Sequence, residues 1–176
     1  MRKIVVYDSI DSDVKEKLNG NDVLLISYDN RKRYYVDAYL MNHPDYNSLE
    51  LGMELPYKRI VAIVESSRLQ LYKALFKTVW FISDQCDDLK MEIENSLDGR
   101  LVSNIDDNFT NSEKRLLDIL CYGVSTKEIC KELGMSDRSV RRLKNRLYEK
   151  TGLKSSQQLS IYALMIQRRS KIQPIT

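Results

Sequence analysis

The most chemically specialised stretch of the chain is Ser136-Asp137-Arg138-Ser139-Val140-Arg141-Arg142-Leu143-Lys144-Asn145-Arg146-Leu147. Arginine presents paired donors that match phosphate oxygens and, in a major groove, guanine O6/N7, while asparagine presents an N–H donor and a carbonyl acceptor that match adenine N7 and N6. Val140, Leu143 and Leu147 recur at i, i+3 and i+7, which marks one narrow apolar face of a helix. A helix shaped by packing alone usually mixes both signs on its solvent side, yet the acids here are Asp137 at the start and Glu149 near the end. Taken alone, this pattern fits a solvated basic helix as well as one that reads nucleic acid. Other chemistry has less to build on. His43 is the one histidine, and Cys86, Cys121 and Cys130 lack metal or redox spacing. No zinc site, Ser-His-Asp triad, cofactor site or independent enzyme is expected.

The elements around this stretch carry start and stop signals. Thr110-x-x-Glu113, Ser125-x-x-Glu128 and Ser155-x-x-Gln158 have capping-box spacing, and Ser136 before Asp137 is a simpler N-cap. Gly123, Gly134 and Gly152 fall where helices would end. Four short helices are predicted, over about 112–122, 126–133, 137–149 and 156–167. The second and third, joined through Gly134-Met135-Ser136, form a helix-turn-helix. Leu116, Leu117, Leu120, Ile129 and Leu133 should join Val140, Leu143 and Leu147 in its core.

These residues resemble the LuxR/GerE-type (NarL-like) DNA-binding domain. The resemblance rests on Phe109-Thr110-x-x-Glu113, Leu116-Leu117, Gly123-x-Ser125-x-Lys127-Glu128-Ile129, Leu133, Ser136-x-x-Ser139-Val140-Arg141, Lys150-x-Gly152-Leu153 and Leu159. Leu143 stands where that family often has histidine, and Ser156 where arginine is frequent. The resemblance implies that Arg141, Arg142 and Asn145 contact bases. It also implies that Lys127, Arg138, Ser139, Lys144, Arg146 and Lys150 contact phosphates. It further implies a dimer on an inverted repeat, formed through a last helix carrying Leu159, Tyr162, Ala163 and Ile166.

Charge divides the chain at the same place. Residues 109–176 hold 14 Lys and Arg against 6 Asp and Glu, or +8, while residues 1–108 hold 14 against 19, or −5. A basic nucleic-acid module joined to an acidic partner module is the physical reading. Strands are predicted at Lys3–Tyr7, Val23–Tyr28, Tyr34–Leu40, Arg59–Val64 and Val79–Ile82. Helices are predicted over 12–19, 68–77 and 84–97, with an irregular stretch and one helical turn between Pro44 and Pro56. The alternation favours a parallel sheet covered by helices.

This order resembles a compressed response-regulator receiver domain with no second helix between strands two and three. A working receiver needs an acidic cluster, an acceptor aspartate and a lysine after the fifth strand. Asp8 could stand in the cluster and Asp37 lies near the acceptor position, whereas Ser83 occupies the lysine's place and Ser66 is the nearest hydroxyl after the fourth strand. Asp8 and Asp37 therefore read as a vestigial phospho-acceptor region of a pseudo-receiver. The layout resembles small atypical LuxR-type regulators of enteric bacteria.

The expected organisation is a receiver-like α/β domain over 1–100, a polar linker over 101–108, and an all-α four-helix LuxR-type helix-turn-helix domain over 109–176. The expected function is that of a sequence-specific bacterial transcription regulator, acting on double-stranded DNA as a homodimer. An auxiliary regulator that heterodimerises with another response regulator, or a phosphorylated response regulator, is the alternative. RNA polymerase is a candidate partner. No apolar run approaches a membrane-spanning length and no signal peptide is read, so a cytoplasmic protein is expected. The tail after Gln167 is expected to fray.

Overall fold

The computed structural model describes residues 3–7, 10–18, 23–27, 29, 36–55, 57, 59–99 and 108–172. The chain divides into two compact units, Met1–Ser103 and Asn104–Thr176. The expected linker over 101–108 lies outside the described residues except for Asn108, and so does Asp8.

The first unit runs β1 (Lys3–Tyr7), α1 (Ser12–Leu18), β2 (Val23–Ser27), β3 (Ala38–Asn42), α2 (Tyr46–Met53), β4 (Ile60–Val64), α3 (Ser66–Leu75), β5 (Val79–Ser83) and α4 (Leu89–Asp98). The strands form one parallel sheet in the order β2-β1-β3-β4-β5. All five residues of β4 are buried, as a central strand covered on both faces requires. Alternate side chains build two apolar layers. On one face Val5, Ala38, Leu40, Val61, Ile63 and Ile82 pack with Leu18 of α1 and with Leu89 and Ile93 of α4. The other layer is aromatic. Phe76, just past α3, lies 5.2 Å from the Tyr46 ring of α2 and 6.4 Å from the Phe81 ring of β5. No helix separates β2 from β3 among the described residues, and Leu24 on the edge strand β2 is 39% exposed.

Several boundaries differ from the sequence expectations. The third strand runs Ala38–Asn42, its ladder pairing Val5 with Ala38 and Tyr7 with Leu40 and then Asn42 with Ile63; Tyr34 and Tyr35, where its start was expected, lie outside the described residues. The irregular stretch after Pro44 folds into α2, capped by the Asp45 carboxylate, which accepts from the Ser48 N–H at 2.7 Å. Helix α3 starts at Ser66, whose N–H donates to the Asp84 carboxylate at 3.1 Å. Residues 84–88 form a turn, so α4 opens at Leu89 under an Asp88 cap to the Met91 N–H.

The second unit is four helices: α5 (Asn111–Leu120), α6 (Thr126–Leu133), α7 (Asp137–Thr151) and α8 (Ser156–Ile172). Helix α8 continues past Gln167, where fraying was expected, to Ile172. Among the described residues no helix is long and apolar enough to cross a membrane.

Candidate nucleic-acid interface

The local signals that set the helix-turn-helix are present as bonds. Ser125 and Glu128 form a reciprocal capping box at the start of α6. The Ser125 hydroxyl and N–H hold the Glu128 carboxyl below its ordinary value. Gly134 closes α6 in the left-handed region at φ +63°, and its N–H reaches back to the Cys130 and Lys131 carbonyls. A residue with a Cβ pays roughly 1–2 kcal/mol for that conformation. Two residues later Ser136 caps α7, accepting from the Ser139 N–H at 3.3 Å. The third predicted box is only half formed. Ser155 accepts from the Gln158 N–H, but the Gln158 amide oxygen takes the Lys154 N–H instead.

Val140, Leu143, Leu147 and Thr151 are the buried residues of α7. They share a core with Leu116, Leu117, Leu120, Ile129, Leu133, Leu153, Leu159 and Tyr162. At about 100° per residue, Arg138, Arg142, Asn145 and Glu149 point away from that stripe, and all four are exposed, as are Ser139, Arg141 and Arg146. Lys144 is half-buried, and Lys127 is exposed on α6. The structure therefore brings the three expected base-contacting residues, Arg141, Arg142 and Asn145, onto the free side of one helix. Leu143, in the place of the frequent histidine, is buried and completes the apolar stripe. Ser156 is exposed at the start of α8.

Two expected roles meet a different geometry. Lys150 turns inward: its ammonium donates to the Glu113 carboxylate at 2.8 Å and to the Asn108 carbonyl at 2.7 Å, and lies 5.8 Å from the Phe109 ring centroid. Glu113 is 1% exposed and completes the α5 capping box with Thr110. Burial on its own raises the Glu113 carboxyl. Lys150 and the Thr110 N–H and hydroxyl outweigh it, so the group sits below its ordinary value of 4.5. Lys150 is thus engaged by groups of its own domain. On α8, Leu159, Tyr162 and Ala163 are consumed by the packing of α8 on α5, with Phe109 edge-on to Tyr162 at 6.5 Å. Ile166, the fourth residue of that stripe, is half-buried.

One contact went unread in the sequence. Arg141 Nε donates to Asp137 Oδ2 at 2.6 Å, one helical turn earlier. The acid-then-arginine spacing of four was its available sign.

The first unit's candidate region is also rearranged. Ligands of open parallel sheets sit at the carboxyl ends of the strands. Asp37 precedes β3 and so lies at the opposite edge, exposed. The shift follows from the β3 register, which puts Asn42 at the carboxyl end, where its amide donates to the Asp11 carboxylate at 3.0 Å. Ser83, at the end of β5, shares a hydrogen bond with the Ser66 hydroxyl and accepts from the Gln85 N–H at 3.2 Å. These hydroxyls are tied into the sheet edge, and Ser83 stands in the place of the expected lysine. Among the described residues no group of three His, Cys, Asp or Glu could hold a metal ion.

A family model for bacterial regulatory proteins of the luxR family matches residues 107–163. No curated protein matches the chain. Among solved structures, one of two RcsB dimers bound to two parallel DNAs is similar with a TM-score of 0.68 at 12% identity, covering 92% of this chain and 98% of that one. RcsB from Salmonella enterica serovar Typhimurium, bound to promoter rprA in the presence of BeF3-, is similar with a TM-score of 0.62 at 15% identity, covering 94% and 100%. At these identities the likeness is one of fold, and it spans both units. Residues 107–163 thus match the luxR family of bacterial regulatory proteins and fold as a helix-turn-helix domain, carried by a chain whose other unit is a five-stranded parallel sheet, and the two units together share the fold of the RcsB structures.

Proposed function

We propose that the protein is a sequence-specific transcription regulator of a bacterial cytoplasm, and that α7 is its recognition helix. The observation that carries this is the division of α7 itself. Val140, Leu143 and Leu147 are buried, while Arg138, Arg141, Arg142, Asn145 and Arg146 remain exposed with donors outward. Arg141, Arg142 and Asn145 address base edges, each good bidentate contact contributing about 1–3 kcal/mol of discrimination. Lys127, Arg138, Ser139, Lys144 and Arg146 set the register on phosphates. Lys150 is left out of that set because its ammonium is engaged by Glu113 and Asn108.

The protein works as a dimer on an inverted repeat, since one small domain holds too few contacts for tight binding. The outward side of α8 offers the surface: Leu164 is 48% exposed there, with Ile161 half-buried beside it. The first unit is a pseudo-receiver. An amide at the end of β3, where the acceptor carboxylate would stand, and a serine at the end of β5, where the lysine would stand and which is hydrogen-bonded to Ser66 at the start of α3, speak against phosphoryl transfer. RcsB dimers on DNA have the same fold, and that likeness supports the dimeric reading.

The test compares Arg141→Ala with Lys127→Ala on a selected duplex and on a scrambled one across a salt series. Arg141→Ala should bring the two duplexes to the same affinity. Lys127→Ala should weaken both alike and flatten the salt slope by about one unit. Equal losses on both duplexes in both variants would sink the assignment.

A further inference from the structure

An acid on the exposed side of a DNA-reading helix works against affinity, because it repels the phosphates that the surrounding arginines attract. Asp137 is such an acid. Its carboxylate is 55% exposed, at the first turn of α7, on a surface whose other charges, Glu149 near the far end apart, are basic. It accepts a 2.6 Å hydrogen bond from Nε of Arg141, whose side chain is 75% exposed. Exposed pairs at this spacing add little to stability. A long exposed arginine is otherwise free to sample many rotamers, and that freedom is lost when it meets a base.

We propose that Asp137 is a specificity-determining positioning residue for Arg141. This rests on the reading of α7 as the recognition helix. Holding Nε fixes the guanidinium plane and leaves the two terminal nitrogens, Nη1 and Nη2, as the forward-facing pair of donors. Those two match guanine O6 and N7 together, whereas adenine offers N7 beside an amino donor. Asp137 thereby trades general DNA affinity for guanine selectivity at one position. The competing explanation is that Asp137 only favours the helix macrodipole at its N-terminus.

The experiment is selection from a random duplex pool with the full chain, run in parallel for wild type, Asp137→Ala, Arg141→Ala and the double variant. Affinity for random duplex is measured beside it. Arg141→Ala identifies the base pair that Arg141 reads. At that pair Asp137→Ala should lower the guanine preference roughly tenfold while raising affinity for random DNA. The double variant should show no further loss there than Arg141→Ala alone. An acid that serves only the helix dipole would leave the base preference untouched. Unchanged guanine preference in Asp137→Ala, with Arg141→Ala abolishing it, overturns the proposal. So does an equal weakening on all sequences. If wild type enriches no sequence although circular dichroism shows it folded, the recognition-helix reading itself fails and this proposal fails with it.

Discussion

Glu113 and Lys150 join the start of α5 to the end of α7, and breaking them should loosen the whole second unit. Their 2.8 Å separation corresponds to about 6 kcal/mol of attraction at an effective dielectric of about 20. Burying Glu113 costs several kcal/mol in return. Lys150 is 22% exposed, so it can recover water when its partner is lost. We therefore expect Glu113→Gln to cost about 2 kcal/mol and a double-mutant cycle with Lys150→Met to give a coupling of about 2–3 kcal/mol. Amide exchange of Leu116, Leu120 and Leu147 in the full chain reads the opening free energy of this unit apart from the other.

The pH dependence has a definite sign. The folded Glu113 carboxyl lies below its ordinary value of 4.5. Its contribution is therefore complete above that value and is lost as the pH falls through the folded one. The gap between wild type and Glu113→Gln should narrow as the pH falls below 4.5 and close once the folded carboxyl is protonated. A coupling near zero, or a gap that persists undiminished in acid, would refute the reasoning.

Three further outcomes follow from single observations. Lys150→Gln should leave the slope of log affinity against log salt unchanged wherever the protein is folded, since its ammonium faces Glu113 and Asn108; a slope reduced by about one would return Lys150 to the phosphate-contacting set. Gly134→Ala should cost about 1–2 kcal/mol in denaturant unfolding. A Cβ there meets nothing within 4 Å but must sit at φ +63°, so an unchanged midpoint would contradict the αL account of the turn. Incubation with acetyl phosphate and magnesium should leave the intact mass unchanged, because Asn42, Ser66 and Ser83 stand at the carboxyl edge of the sheet. A phosphoryl adduct would end the pseudo-receiver reading.

What was legible in the sequence was local. Val140, Leu143 and Leu147 declare a helix face by spacing alone, and Thr110 with Glu113 or Ser125 with Glu128 declare a cap within four residues. The pairing of Lys150 with Glu113 spans 37 residues, and no local pattern distinguishes that lysine from the exposed basic residues of the same helix. Tyr162 likewise looks like any stripe residue until α8 packs on α5 and buries it. The β3 register failed for a related reason. No local pattern carries the expected strand past Leu40 to Met41 and Asn42; what does is the ladder with β4. That register puts Asp37 at one edge of the sheet and Asn42 at the other. Distant partners set the details of both candidate regions, while periodicity and capping set their elements.

The most direct measurement is selection of bound duplexes from a random pool by the purified wild-type protein alone, at near-physiological salt. The account predicts enrichment of an inverted repeat, lost in Arg141→Ala and in Asn145→Ala. No enrichment by a protein that circular dichroism shows to be folded would contradict it, and would turn the search toward a second regulator that this chain must join before it reads DNA.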